Sequence, residues 1–170
     1  MFKDRFQVHI TGTIKALHSQ YPNANIQYQI IAQPPWKVLF GAASGITQTA
    51  LRSSTQTFGH QQVFNQLFQT QFVKESRNPL GWPVMVFSVF TINSALVESL
   101  IGYGVIRIPL ENGQTNMKVP LFRPILQSNK VGINPEFVNA AILATSVQRG
   151  HIQTKSEGSW IEVEVGVVVF

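Results

Sequence analysis

Cysteine and aspartate are the residue types whose scarcity excludes most chemistry in this sequence. None of the 170 residues is cysteine, which excludes disulfides, thiolate nucleophiles and cysteine-ligated zinc, and suits a reducing, cytoplasmic compartment. Asp4 is the only aspartate, and the glutamates are dispersed except for Glu162 and Glu164, which share one strand-like stretch. Because a bound calcium ion takes about six to eight oxygen ligands, several of them anionic, we expect no calcium site and no cofactor.

Charge of either sign is also scarce. Charged residues make up 12% of the chain, against roughly 25% in ordinary globular domains. The net charge is +5, but the 13 lysines and arginines are scattered and no aromatic residues interleave with them in an RNA-recognition pattern, so we expect no nucleic acid partner. A sparsely charged surface is typical of a domain partly covered by partner proteins. A proteome that favours Gln and Asn would produce the same composition.

The sequence contains no catalytic constellation. The four histidines lack zinc-ligand spacing, and no Gly-x-Ser-x-Gly elbow is present. Gly102 and Gly104 flank a tyrosine, but no Gly-Lys-Ser/Thr follows them, which excludes a phosphate-binding loop. We therefore expect a protein that is not an enzyme.

Long hydrophobic runs are absent as well. The charge-free stretch at residues 78–97 is as long as a membrane span but is interrupted by proline, glycine, asparagine and serine. Within it, the short apolar run at residues 84–90 predicts a strand buried on both faces. The N-terminus leads directly into an alternating pattern, so we expect no signal peptide.

Alternation of apolar and polar residues predicts strands through most of the chain. The clearest lies at residues 161–169, and residues 6–14 and 26–30 alternate in the same way. Phe64, Phe68 and Phe72 fit either a helical stripe or a strand, and the threonine and aromatic content near them favours a strand. At this length, residues 1–170 form a single domain, and the many short strands favour an antiparallel β-sandwich.

Three glycine and proline signatures punctuate these strands at wide intervals. They are Asn78, Pro79, Gly81, Trp82 and Pro83; then Gly102, Tyr103 and Gly104; then Pro120 within the Val-Pro-Leu-Phe-Arg-Pro stretch at residues 119–124. Together with Trp36, the Gly-Ile-Thr-Gln at residues 45–48 and the strands at both ends, this series resembles the B9-domain family of ciliary transition-zone proteins. Residues 78–83 and 45–48 favour the first of the family's paralogues.

The resemblance implies a C2-like antiparallel β-sandwich with one short helix. Residues 133–150 carry helix punctuation, with Asn134 as N-cap and Gly150 as a stop, but the resemblance implies only one or two turns after Asn134 and extended chain from about Leu143. It also implies a scaffold at the ciliary base, in the basal body and transition zone, with other B9-domain proteins and Meckel-syndrome module subunits as partners. There the family supports ciliogenesis and controls which proteins enter the ciliary membrane.

Individual signature residues have more than one interpretation. We expect Trp82 to anchor a strand entry, and the glycines around Tyr103 to allow close backbone approach. Trp36 and Arg123, both beside prolines, are candidate partner-facing residues. Each has a structural role as an equal alternative, which for Trp36 is to cap one end of the sandwich. The alternative function is a calcium-independent lipid-binding module at a membrane surface, for which we assign four candidate basic residues: Lys3, Arg5, Lys15 and Arg107.

Overall fold

The structure is a computed structural model, and it describes residues 5–53, 60–125, 140–144 and 154–170. Most of these residues lie in strands. The elements, in chain order, are β1 (Phe6–His18), β2 (Asn23–Ile31), β3 (Lys37–Gly41), β4 (Ser44–Ile46), β5 (Ala50–Leu51), β6 (Gln61–Lys74), β7 (Val84–Ile92), β8 (Glu98–Arg107), β9 (Gly113–Pro124), a 3₁₀ helix (Ala140–Ala144) and β10 (Thr154–Val169).

The strands form one antiparallel sheet that curls into two layers. Its order is β3-β6-β1-β10-β9-β8-β7-β2-β4, with β5 also paired to β2. The sheet narrows between β9 and β8, where only Tyr103 and Phe122 are in register. The first layer, from β3 to β9, therefore packs across a shared core against the second layer, from β8 to β4. This arrangement confirms the predicted all-β, C2-like antiparallel sandwich.

The core follows from the alternation visible in the sequence. Ile10 on β1 and Val163 on β10 face Ile26 on β2 and Phe87 on β7, and all four side chains are fully buried. On β6, Phe64, Phe68 and Phe72 are buried while their neighbours point outward. The strand interpretation of these three phenylalanines is thus confirmed over the helical one, because their even spacing places them on one face of a strand.

Strand β7 is buried on both faces, as its continuous apolar run predicts. Met85, Phe87 and Val89 point into the main core, while Val86 contacts a second cluster on the other side. Leu143 of the 3₁₀ helix completes that second cluster and is fully buried. The 3₁₀ helix therefore packs on the outer face of the second layer.

The position of the 3₁₀ helix corrects one expectation from the sequence. Extended chain was expected from about Leu143, but Leu143 and Ala144 are still helical. Burial of Leu143 against β7 and β8 explains the difference, because a helical turn directs this side chain into the cluster. The remainder of the predicted helical region, including Asn134 and Gly150, lies outside the described residues.

Candidate interaction site

The first signature forms a tight loop between β6 and β7. Asn78 Oδ1 accepts a hydrogen bond from the Leu80 N–H at 2.9 Å, an Asx-turn, and the Trp82 N–H donates to the Pro79 carbonyl at 3.1 Å. Gly81 has a φ of +74°, and a Cβ there would lie 2.9 Å from the Gln33 carbonyl. The glycine is required both for the turn and for the close approach of the neighbouring loop.

Trp82 links this loop to the end of β8. Its Nε1–H donates to the Ile108 carbonyl at 2.8 Å, and the Ile108 N–H donates to the Pro83 carbonyl at 3.2 Å. The ring lies half-buried against the main core. Trp82 therefore fixes the entry into β7, in the manner expected of a strand anchor.

Trp36 packs inside the protein, which corrects its assignment as a partner-facing residue. Its side chain is 6% exposed, and its ring centroid lies 5.6 Å from that of Trp82, edge to face, and 5.5 Å from that of Phe6. The indole N–H donates to the Leu80 carbonyl at 2.9 Å. These contacts form an aromatic cluster of Phe6, Trp36 and Trp82 that closes one end of the sandwich. The Pro34–Pro35 loop folds inward because this cluster provides apolar surface for the ring to cover.

The aromatic cluster also holds a buried lysine that the sequence does not reveal. Lys74 is 3% exposed, and its ammonium donates to the Leu80 carbonyl at 3.1 Å and lies 4.8 Å from the Trp36 ring centroid. Burial lowers the pKa of Lys74 from its ordinary value of 10.5, because removing the ammonium from water penalises the charged form. The hydrogen bond and the cation–π contact offset part of this penalty.

We expect Lys74 to make stability depend on alkaline pH. Because the folded pKa of Lys74 is below the unfolded value, the unfolded chain binds more protons between the two values, so stability rises with pH in that window. Lys74→Met removes this dependence, and the Leu80 carbonyl retains its bond from Trp36. Urea unfolding from neutral pH to pH 10.5 should therefore show the wild type gaining stability relative to Lys74→Met as pH rises.

The matched control for this measurement is Lys37→Met on β3. Lys37 is exposed, so this variant makes the same lysine-to-methionine change without removing a buried ammonium. The pKa values of Tyr21 and Tyr28 are raised, chiefly by burial, and act in the opposite direction at high pH. Both tyrosines are present in every variant, so their effect cancels when the free energies of unfolding of wild type and variant are subtracted. A constant difference between the wild type and Lys74→Met across this range would contradict the assignment.

The second and third signatures meet where the sheet is narrowest. Tyr103 is 2% exposed, and its ring lies 6.4 Å from that of Phe122 on β9. A Cβ on Gly104 would lie 2.8 Å from Val119 Cγ1, and one on Gly102 would lie 3.1 Å from the Phe122 carbonyl oxygen. These glycines therefore let β9 lie against β8, although Tyr103 and Phe122 are the only residues of the two strands that are in β-sheet register. Pro120 is exposed on β9 and pairs with Trp160 of β10.

Arg123 binds within the protein, which corrects its assignment as partner-facing. Its side chain is 13% exposed, and Nε pairs with Glu157 Oε2 at 2.9 Å and donates to the Ile101 carbonyl. Nη2 donates to the Tyr21 hydroxyl at 2.6 Å, and that hydroxyl donates to Glu157 Oε1 at 2.8 Å. Burial and then the bond to Glu157 raise the pKa of Tyr21. This network joins β8, β9 and β10 at the point where the β8–β9 ladder is weakest.

The basic residues assigned to a lipid surface do not form one cluster among the described parts of the chain. Lys3 lies outside the described residues. Lys15 is bound on the sheet surface, with Nζ 2.9 Å from Asn116 Oδ1 and 3.0 Å from Glu164 Oε2. Arg5 and Arg107 are exposed near the aromatic cluster, and Lys15 is ten residues further along β1 from Arg5, roughly 30 Å at the usual rise per strand residue.

A groove lies beside the first signature loop, and sequence reasoning did not identify it as a site. We call it the Arg107 groove. It has a volume of about 560 Å³ and is lined by residues of the loop, of β2, β7 and β8, of the turn after β8 and by Ala144. Leu80 and Leu110 are among the lining residues, and their side chains are 71% and 58% exposed. One feature of the sequence could have indicated this groove: Leu80 and Leu110 each follow a turn-forming proline, and such turns project side chains outward.

Strand β3 presents a second apolar surface. Val38, Leu39 and Phe40 are 49%, 53% and 59% exposed, and the strand pairs with β6 along one side. Within the described ranges, His, Asp and Glu side chains form no group of three or more that could hold a metal ion. The same ranges contain no helix that is long and apolar enough to cross a membrane.

Comparison with known proteins identifies relatives along nearly the whole chain. The family model described as "Ciliary basal body-associated, B9 protein" matches residues 8–168. The chain is 27% identical to B9 domain-containing protein 1 of Mus musculus over 161 residues, covering 90% of this chain and 77% of that protein. It is 23% identical to B9 domain-containing protein 2 of Homo sapiens over 171 residues, covering 96% and 93%.

Among solved structures, a C2-type domain of plant Extended Synaptotagmin 1 aligns with a TM-score of 0.42 at 12% identity, covering 96% of this chain and 95% of that domain. The resemblance inferred from the three signatures is confirmed by the family match. The chain belongs to the family of ciliary basal body-associated B9 proteins.

Proposed function

We propose that this protein is a non-enzymatic scaffold subunit of a B9-domain, Meckel-syndrome-type complex at the ciliary transition zone. In this role it binds other B9-domain proteins, supports ciliogenesis and helps control the entry of membrane proteins into the cilium. The observation that carries the proposal is the match of residues 8–168 to a family described as ciliary basal body-associated.

The surface of the molecule supports a role in binding proteins. Apolar side chains are exposed at β3, which pairs with β6, and at the Arg107 groove. Exposed apolar patches on an otherwise polar surface mark places that partners cover. The described basic residues, by contrast, do not converge, so the geometry favours protein partners over a lipid-binding module acting alone.

The proposal is tested in ciliated cells of the source organism. A tagged copy should concentrate at the ciliary base and co-purify with at least one other B9-domain protein, and disruption of the gene should reduce the number of cilia. Rescue should succeed with the wild-type chain and with Gly166→Ala, and fail with Gly12→Ala, a pair of variants whose effects on folding are argued in the Discussion. A diffuse distribution, no B9-domain partner and normal cilia after disruption would together refute the scaffold role.

A further inference from the structure

The Arg107 groove combines apolar walls with one cation. The walls include Ile31, Trp82 and Val105, and the exposed leucines Leu80 and Leu110 flank them. Arg107 is the only charged side chain among the described residues that line it. A volume of about 560 Å³ lies within the usual range of roughly 300–1,000 Å³ for ligand sites.

Arg107 is available for an external partner. Its side chain is exposed, and no hydrogen bond or ion pair of this guanidinium occurs within the described portions of the chain. Arg123, by comparison, is fully engaged by Glu157, Tyr21 and the Ile101 carbonyl. A guanidinium beside apolar surface binds a carboxylate through two parallel N–H···O bonds, and partial removal from water strengthens the pair.

The groove is formed before any ligand arrives. One wall is the signature loop, held by the Asx-turn at Asn78, by the Gln33 N–H donating to the Gly81 carbonyl at 3.0 Å and by the Trp82 indole bond to Ile108. The opposite wall is β8, in which Arg107 is in register with Val84 of β7. A rigid site loses little conformational entropy on binding, so its contacts contribute more of their energy to affinity.

We propose that the Arg107 groove binds a short segment of a partner protein in which an apolar side chain lies next to an aspartate or glutamate. The apolar side chain occupies the space between Leu80, Val105 and Leu110, and the carboxylate pairs with Arg107. A membrane surface fits less well, because attraction to anionic lipid needs several basic residues on one face, and Arg107 is the only charged residue that the described lining provides.

This inference deepens the proposed scaffold function but is tested separately from it. Peptide binding by the purified protein does not depend on localisation in cells. Failure to reach the ciliary base would leave the groove's binding intact, and failure to bind peptides would leave the ciliary role intact. The two proposals therefore have distinguishable failures.

The test uses an array of N-acetylated, C-terminally amidated heptapeptides with glutamate next to leucine or phenylalanine at the centre. The strongest binder is then titrated into methyl-labelled protein and followed by NMR. We expect the signals of Val105 and Leu110 to shift, and substitution of glutamine for the central glutamate to weaken binding about tenfold. Arg107→Ala should cause a similar loss, and Arg107→Glu should favour peptides with lysine at that position.

The matched control is Arg5→Ala, which removes an exposed arginine at the same end of the molecule without touching the groove. It should bind as the wild type does, and Arg107→Ala should unfold at the wild-type temperature. The proposal is overturned if no peptide shifts Val105 or Leu110, or if Arg107→Ala binds with unchanged affinity. It is also overturned if only peptides with a free C-terminal carboxylate bind, or if phosphatidylserine vesicles bind through Arg107 while all peptides fail.

Discussion

Replacing Trp36 by alanine is expected to lower the free energy of unfolding by about 3–5 kcal/mol. Trp36 is 6% exposed and contacts Phe6 and Trp82, so its removal leaves a cavity at one end of the sandwich. It also removes one donor from the Leu80 carbonyl and the aromatic face beside the Lys74 ammonium. Since such domains are stable by only about 5–15 kcal/mol, urea unfolding should detect a large shift in midpoint.

Two further variants separate the contributions of Trp36. Trp36→Phe keeps much of the ring but loses the indole donor, and should cost about 1 kcal/mol because Lys74 still donates to Leu80. Trp160→Ala is the matched control, since Trp160 is only half-buried and stacks on His18 on the outer face of the sheet. It should cost about 1–2 kcal/mol. Equal losses for Trp36→Ala and Trp160→Ala would show that the aromatic cluster does not stabilise the fold.

Gly12→Ala is expected to destabilise the protein by about 3 kcal/mol or more, at the upper end of overpacking effects. Gly12 lies in the middle of β1, where a Cβ would clash with the Glu164 backbone carbonyl of β10 and with the Phe68 ring of β6. A backbone carbonyl in a central ladder cannot move without separating β1 from β10. The expected result is a lowered melting temperature or a chain that does not fold.

Gly166→Ala provides the matched control on the paired strand. Gly166 is in register with Thr11, and its added Cβ would lie 3.0 Å from Thr11 Oγ1. That oxygen belongs to a side chain that rotates away, so the loss of stability should stay below about 1 kcal/mol. Circular dichroism of both purified variants makes the comparison. Wild-type melting of Gly12→Ala would contradict the close approach of β10 at this position.

The fold was predictable because apolar and polar residues alternate along its strands strongly enough to identify the buried faces. On β10, Ile161, Val163, Val165 and Val167 all proved buried, as their spacing of two indicated. The apolar run of β7 likewise predicted burial on both faces. Such patterns are local, since the side chains of a strand alternate whatever the strand packs against.

The roles of single residues were less predictable, because they depend on contacts between distant segments. Trp36 stands beside two prolines, a setting typical of an exposed loop, but it is buried against Phe6 and Trp82, which are distant in sequence. Arg123 similarly meets Glu157 and Tyr21 from other parts of the chain. The Arg107 groove combines several elements that are far apart in sequence, so no local motif could have revealed it.

The crossing of the chain between the two layers has a consequence for aggregation. Ala42 donates its N–H to Gln69 of β6 at 3.2 Å, whereas the next residue, Ala43, accepts from Ile30 of β2 at 2.6 Å. Further along the same segment, β4 and β5 pair with β2, and Ser53 pairs with Gln61 of β6. The segment therefore occupies backbone groups along both strands that would otherwise form open edges for pairing with other chains. Loosening this one segment would expose the backbone groups of two long strands, so a local change there would favour intermolecular β-sheet and aggregation.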